Sequence, residues 1–83
     1  MSIQWEAAIS AACAKAEEAS AKYGDFASLH EAYGVLAEEV AEMLDVVRLQ
    51  QSDRSRGLRA RAEAIDIAAV ALRIAESAMR LTR

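Results

Sequence analysis

The chain contains no proline, three glycines, one cysteine and one histidine among its 83 residues, and aromatic side chains make up 5% of it. Each scarcity excludes something. A β-sandwich or barrel needs turn residues every 8 to 12 positions or so, and a nucleotide-binding βαβ unit needs a glycine-rich loop after a β-branched run. Neither pattern is present. The lone Cys13 cannot close an internal disulfide, and with the single His30 it cannot build a structural zinc site. No run approaches 18 consecutive apolar residues, and Met1 to Ile9 lack the basic and apolar regions of a secretion signal, so a cytoplasmic protein without a membrane segment is expected.

What is present in quantity is alanine, 20 residues of it, the strongest helix former. The composition is that of an all-α protein. Ser2 can cap a first helix over residues 3–23, whose apolar positions Trp5, Ile9, Ala12, Ala16 and Tyr23 recur at the helical period and which Gly24 ends. Ser28 with Glu31 three residues on is a capping-box pattern and opens a second helix, 28–50. Its stripe of Leu29, Tyr33, Leu36, Val40, Met43 and Val47 predicts the core-facing side. The polar segment Gln51 to Ser55 supplies a turn, and a third helix follows over 55–81. All 83 residues read as one domain, an antiparallel helical bundle of about three helices.

The third helix has two apolar sides, Leu58, Ile65, Ala69, Leu72 and Met79 on one and Ile67, Val70, Ile74 and Leu81 nearly opposite. A chain this short buries little of its surface alone, so the second side is expected to pack on another subunit. Gly34 inside the second helix suggests a close helix crossing, and Cys13 reads as a small buried hydrophobe. Trp5, Phe26 and Tyr33 read as packing residues, and His30 as a surface or capping residue.

Charge is split unevenly. Residues 1–47 carry nine acids against Lys15 and Lys22, whereas residues 48–83 carry eight arginines against four acids, within an overall net charge of −3. The cluster Arg54, Arg56, Arg59 and Arg61 is expected to be a solvated helix start, and without interleaved aromatics in an acidic protein it does not predict nucleic-acid binding. The acids carry more information. Glu39 and Glu42 on the second helix, and Glu63 and Asp66 on the third, are pairs at spacing i, i+3, which project from one side of a helix. Antiparallel packing lets the two pairs converge, and a divalent cation relieves the repulsion between them, because hard Mg²⁺ prefers oxygen ligands and phosphate partners.

The segments His30 to Glu42 and Glu63 to Ala71 resemble the MazG-like all-α nucleoside triphosphate pyrophosphohydrolases, whose motif is EExxE followed by ExxD on adjacent helices. Here the motif residues are Glu38, Glu39 and Glu42, then Glu63 and Asp66, with 20 residues between Glu42 and Glu63. The resemblance covers roughly residues 28 to 80; a fourth helix found in many relatives is expected to be missing or very short. It implies hydrolysis of an NTP or dNTP to the monophosphate and pyrophosphate in nucleotide-pool house-cleaning. Mg²⁺ or Mn²⁺ would be held by Glu39, Glu42, Glu63 and Asp66, with Glu38 and Glu39 as the catalytic pair and Glu38 positioning the water. It also implies a homodimer or homotetramer. Arg73, beyond Asp66 on a similar side, is the candidate phosphate ligand. The competing reading is a non-catalytic helical dimerisation module in which the acids pair with arginines across an interface.

Overall fold

A computed structural model describes residues 3–49 and 53–82. Three helices account for nearly all of them: α1 over Ile3–Tyr23, α2 over Leu29–Val47 and α3 over Asp53–Leu81. No strand occurs among the described residues. The first helix has the expected bounds as far as they are described; the expected cap Ser2 lies outside the described residues. The second is shorter at its C-terminal end than the expected 28–50, stopping at Val47 with Arg48 as its cap, and the third begins at Asp53 rather than Ser55. Gln50 to Ser52 lie outside the described residues.

Local chemistry sets the ends. The Gly24 N–H donates to the Ser20 carbonyl at 2.9 Å with φ at +75°, a left-handed conformation that costs glycine little and ends α1. At the start of α2 the Glu31 N–H donates to Ser28 Oγ at 3.1 Å. The Glu31 carboxylate reaches back to the Ala27 N–H at 2.7 Å, so the capping pattern forms with its return bond one residue early.

The long third helix lies between the other two, touching both, while α1 and α2 make no substantial contact. On its α2 side, Val70 packs with Phe26 and Ala32, flanked by Val35, Leu36, Ile74 and Leu81. Ile65 and Ala69, roughly 100–140° round the helix from Val70, are also buried. Towards α1, Lys15 pairs with Asp66 and Arg73 donates to Ser20 Oγ. The two apolar sides of α3 therefore do not map onto one internal and one external partner as expected. Both α1 and α2 come from the same chain, and the large apolar side chains left exposed on α3 are Leu58, Leu72 and Met79, on the same side as the buried Ile65.

Four further expectations are corrected. The stripe predicted to bury α2 faces largely outward: Tyr33 is 70% exposed, and Leu29, Val40 and Val47 are exposed too, while Ala32 and Val46 are buried in its place. The packed side of α2 is rotated roughly 80° from the apolar stripe. Cys13 is exposed rather than buried. A Cβ added at Gly34 would meet nothing within 4 Å, so no helix among the described residues of the chain crosses closely there. Of the aromatic residues expected to pack, Phe26 is buried and Trp5 and Tyr33 are exposed.

Candidate functional site

Turning Ala32 and Val46 towards α3 also turns Glu39, which shares their side of α2, into the α2–α3 seam. There it meets Glu63 and Asp66. One carboxylate oxygen from each of Glu39, Glu63 and Asp66 lies within 4.8 Å of the other two, and all three residues are half-buried. Glu42, one turn beyond Glu39 and more exposed, adds its negative charge to the potential at both Glu39 and Glu63, so four acids of the motif stand together. The fifth, Glu38, is exposed and belongs to the wall of an adjoining cavity rather than to the cluster.

The electrostatics of the cluster are unfavourable for four free carboxylates. Burial pushes the Glu39 carboxyl up to about 7 from an ordinary 4.5, with repulsion from Glu42, Asp66 and Glu63 and a hydrogen bond to Glu42 adding to the effect. Burial likewise raises Glu63, again reinforced by Glu42 and Asp66 and opposed by the Arg59 guanidinium. Glu39 Oε2 and Glu63 Oε2 are both buried without a hydrogen-bond partner. Buried acceptors of this kind are normally satisfied. An all-oxygen donor set with two orphaned acceptors and a raised proton affinity fits a hard divalent cation such as Mg²⁺ or Mn²⁺.

Beside the cluster is a cavity of about 780 Å³, bounded by the C-terminal half of α1, the 24–27 connection, the start of α2 and the middle of α3. It falls within the usual range of small-molecule sites. Glu38, Glu39 and Asp66 line one end, with Lys15, Lys22 and Arg73 also on the wall. Lys15 Nζ is 3.1 Å from Asp66 Oδ1.

The sequence-predicted phosphate ligand Arg73 is in the cavity wall, and two of its five N–H donors are engaged within the fold. It donates to the Gly24 carbonyl at 2.9 Å and to Ser20 Oγ at 3.3 Å, and its guanidinium stacks 4.4 Å from the centre of the Phe26 ring. Arg73 thus pins the end of α1 to α3. Lys15 was missed as a site residue, because no periodicity in the first helix says which of its sides meets the acids. The arginine cluster at the start of α3 has mixed roles: Arg56 donates to the Leu49 carbonyl at 3.3 Å and Arg59 lies near Glu63.

No family model, no curated protein and no solved structure matches the chain.

Proposed function

We propose that the protein is a divalent-metal-dependent nucleoside triphosphate pyrophosphohydrolase, converting an NTP or dNTP and water to the monophosphate and pyrophosphate. The observation that carries this reading is the convergence of Glu39, Glu63 and Asp66, from two helices, beside a nucleotide-sized cavity whose wall Glu39 and Asp66 also line. The resemblance of the EExxE and ExxD segments to the MazG-like enzymes supports it. Mg²⁺ or Mn²⁺ would be held by Glu39, Glu63 and Asp66 with Glu42 beside them, and when bound would neutralise charge on the phosphate oxygens. Glu39 must lose the proton that burial favours before it can serve as a ligand. Glu38, exposed on the cavity wall, would orient the attacking water.

The active species in this reading is a homo-oligomer. The chain has an accessible area of 6212 Å², against about 4900 Å² for a compact monomer of its mass. Its radius of gyration is 14.1 Å, against about 12 Å for a compact chain of this length. The excess area is of the order of a standard protein interface. The exposed Leu29, Tyr33, Val40 and Val47 on α2, with Leu58, Leu72 and Met79 on α3, supply apolar surface for a second copy. The same surface favours the second reading, a dimerisation module without catalysis.

Incubation of the purified protein with a panel of NTPs and dNTPs and Mg²⁺ or Mn²⁺ separates the two. Pyrophosphate release that disappears on chelation and in Glu39→Gln and Asp66→Asn is expected. A folded oligomer that releases none with any nucleotide, and whose melting temperature ignores Mg²⁺, leaves the dimerisation module as the reading.

A further inference from the structure

The acid cluster already has a cation in contact with it, and that cation comes from α1. Lys15 Nζ sits 3.1 Å from Asp66 Oδ1. Glu39 and Glu18 add to the negative potential around the ammonium. The Lys15 side chain is nevertheless 57% exposed, against 28% for Asp66, so it approaches the cluster from the open, cavity side. Lysine suits a movable role. It carries a compact charge on a flexible four-carbon stem and makes no fixed fork as arginine does. Arg73, by contrast, is held by two hydrogen bonds and an aromatic ring.

A divalent ion at Glu39, Glu63 and Asp66 would draw on the same Asp66 carboxylate that Lys15 now pairs with, and two cations cannot share one carboxylate at full strength. The ammonium is then repelled from the cluster, and its stem lets it swing within the cavity it already lines. Phosphate oxygens drawn to the metal would lie on that same side, offering the ammonium a new anionic partner.

Building on the pyrophosphohydrolase reading, we propose that Lys15 is a stand-in cation at Asp66 in the nucleotide-free protein and becomes a ligand for the triphosphate when metal and nucleotide load together. Lys15 then opposes metal binding in the absence of nucleotide and favours nucleotide binding in its presence. These opposite signs distinguish it from a residue that merely holds α1 in place, whose loss would weaken both.

The test compares wild type with Lys15→Gln and Lys15→Arg, using Mn²⁺ alone as the first probe, with free Mn²⁺ followed by electron paramagnetic resonance, and then the best nucleotide from the panel in steady-state hydrolysis. Lys15→Gln should bind Mn²⁺ about threefold more tightly, as expected for removal of a partly exposed competing ion pair. It should also raise KM about tenfold. Lys15→Arg should return KM most of the way to wild type. Weaker Mn²⁺ binding together with a higher KM in Lys15→Gln would mark a structural role and overturn the assignment. So would unchanged values of both while wild type binds Mn²⁺ and hydrolyses nucleotide, an outcome that leaves the pyrophosphohydrolase reading standing. Absence of both Mn²⁺ uptake and hydrolysis in wild type would remove that reading and this assignment with it.

Discussion

Crowding acids at a helix seam destabilises the metal-free fold, and the pH dependence of stability measures by how much. Glu39 titrates near 7 in the folded chain and near 4.5 when unfolded. Between these values the folded state binds more protons than the unfolded one, so stability falls as pH rises through the window. Taken at face value the shift corresponds to about 3 kcal/mol. Solvent reaches part of the group, and screening brings the expected loss to about 1–2 kcal/mol between pH 5 and pH 8. Glu63, raised by the same causes, acts with the same sign. Glu76, held down by Arg80, changes stability only at or below the ordinary glutamate value of 4.5, outside the window. Urea unfolding at fixed protein concentration, in chelator, should therefore show wild type losing stability from pH 5 to pH 8. Glu39→Gln, which has no charge to desolvate, should be more stable than wild type at pH 8 and close to it at pH 5. Saturating Mg²⁺ should reverse the trend for wild type, with little gain at pH 5, where protons compete, and about 2–3 kcal/mol at pH 8 when the ion is at a hundred times its dissociation constant. A metal-free stability that is flat or rises from pH 5 to pH 8 would refute the reasoning, as would a Glu39→Gln variant less stable than wild type at pH 8.

Other substitutions test the packing around the site. Arg73→Leu removes the bonds to Gly24 and Ser20 and the stacking on Phe26, and should cost about 1–2 kcal/mol in thermal unfolding whether or not metal is present. Ser28→Ala removes the N-cap acceptor of α2 and should cost about 1 kcal/mol by the same measurement. Gly34→Ala should stabilise by up to about 1 kcal/mol, since its Cβ meets only open space within the chain. Destabilisation there, with a shift to smaller species in sedimentation velocity, would place a second copy against Gly34.

Much of the architecture was legible because it depends on local chemistry. The end of α1 follows from Gly24, the only residue there that takes φ of +75° freely, and the start of α2 from the Ser28 and Glu31 pair. The convergence of Glu39, Glu63 and Asp66 was legible from i, i+3 spacing and a short antiparallel connection. The role of Lys15 was not, because the docking of α1 on α3 depends on a tertiary rotation that alanine-rich periodicity leaves open. Cys13 is exposed and Gly34 has no close neighbour within the chain for a related reason: burial and close approach belong to the relation between helices, and neither residue's identity specifies it.

The misplaced face of α2 has a specific physical origin. Its apolar stripe and Glu39 lie far apart round the same helix, separated by roughly 80°. With α3 as its helical neighbour among the described residues, α2 turns Glu39 into that seam and keeps only part of the stripe there, Leu36 against the core, while Leu29, Tyr33, Val40 and Val47 face outward. Burial of the stripe would be favoured by the hydrophobic effect alone, since Leu29, Tyr33, Val40 and Val47 each offer more apolar area than Ala32, which sits in the seam at 1% exposure. The orientation adopted gives up that burial within the chain and places Glu39 against Glu63 and Asp66, where repulsion adds a further cost. Both costs fall if the seam holds a divalent cation and the stripe meets a second copy. The placement of the acids and the exposure of the stripe are thus two consequences of a single helix rotation, and metal binding and assembly should be thermodynamically linked. Dilution that dissociates the oligomer should weaken Mn²⁺ binding, and a Val40→Glu substitution on the exposed stripe, remote from the acids in the angular sense, should weaken it as well. Mn²⁺ affinity that is unchanged across the dissociation range would separate the two effects and remove the common cause.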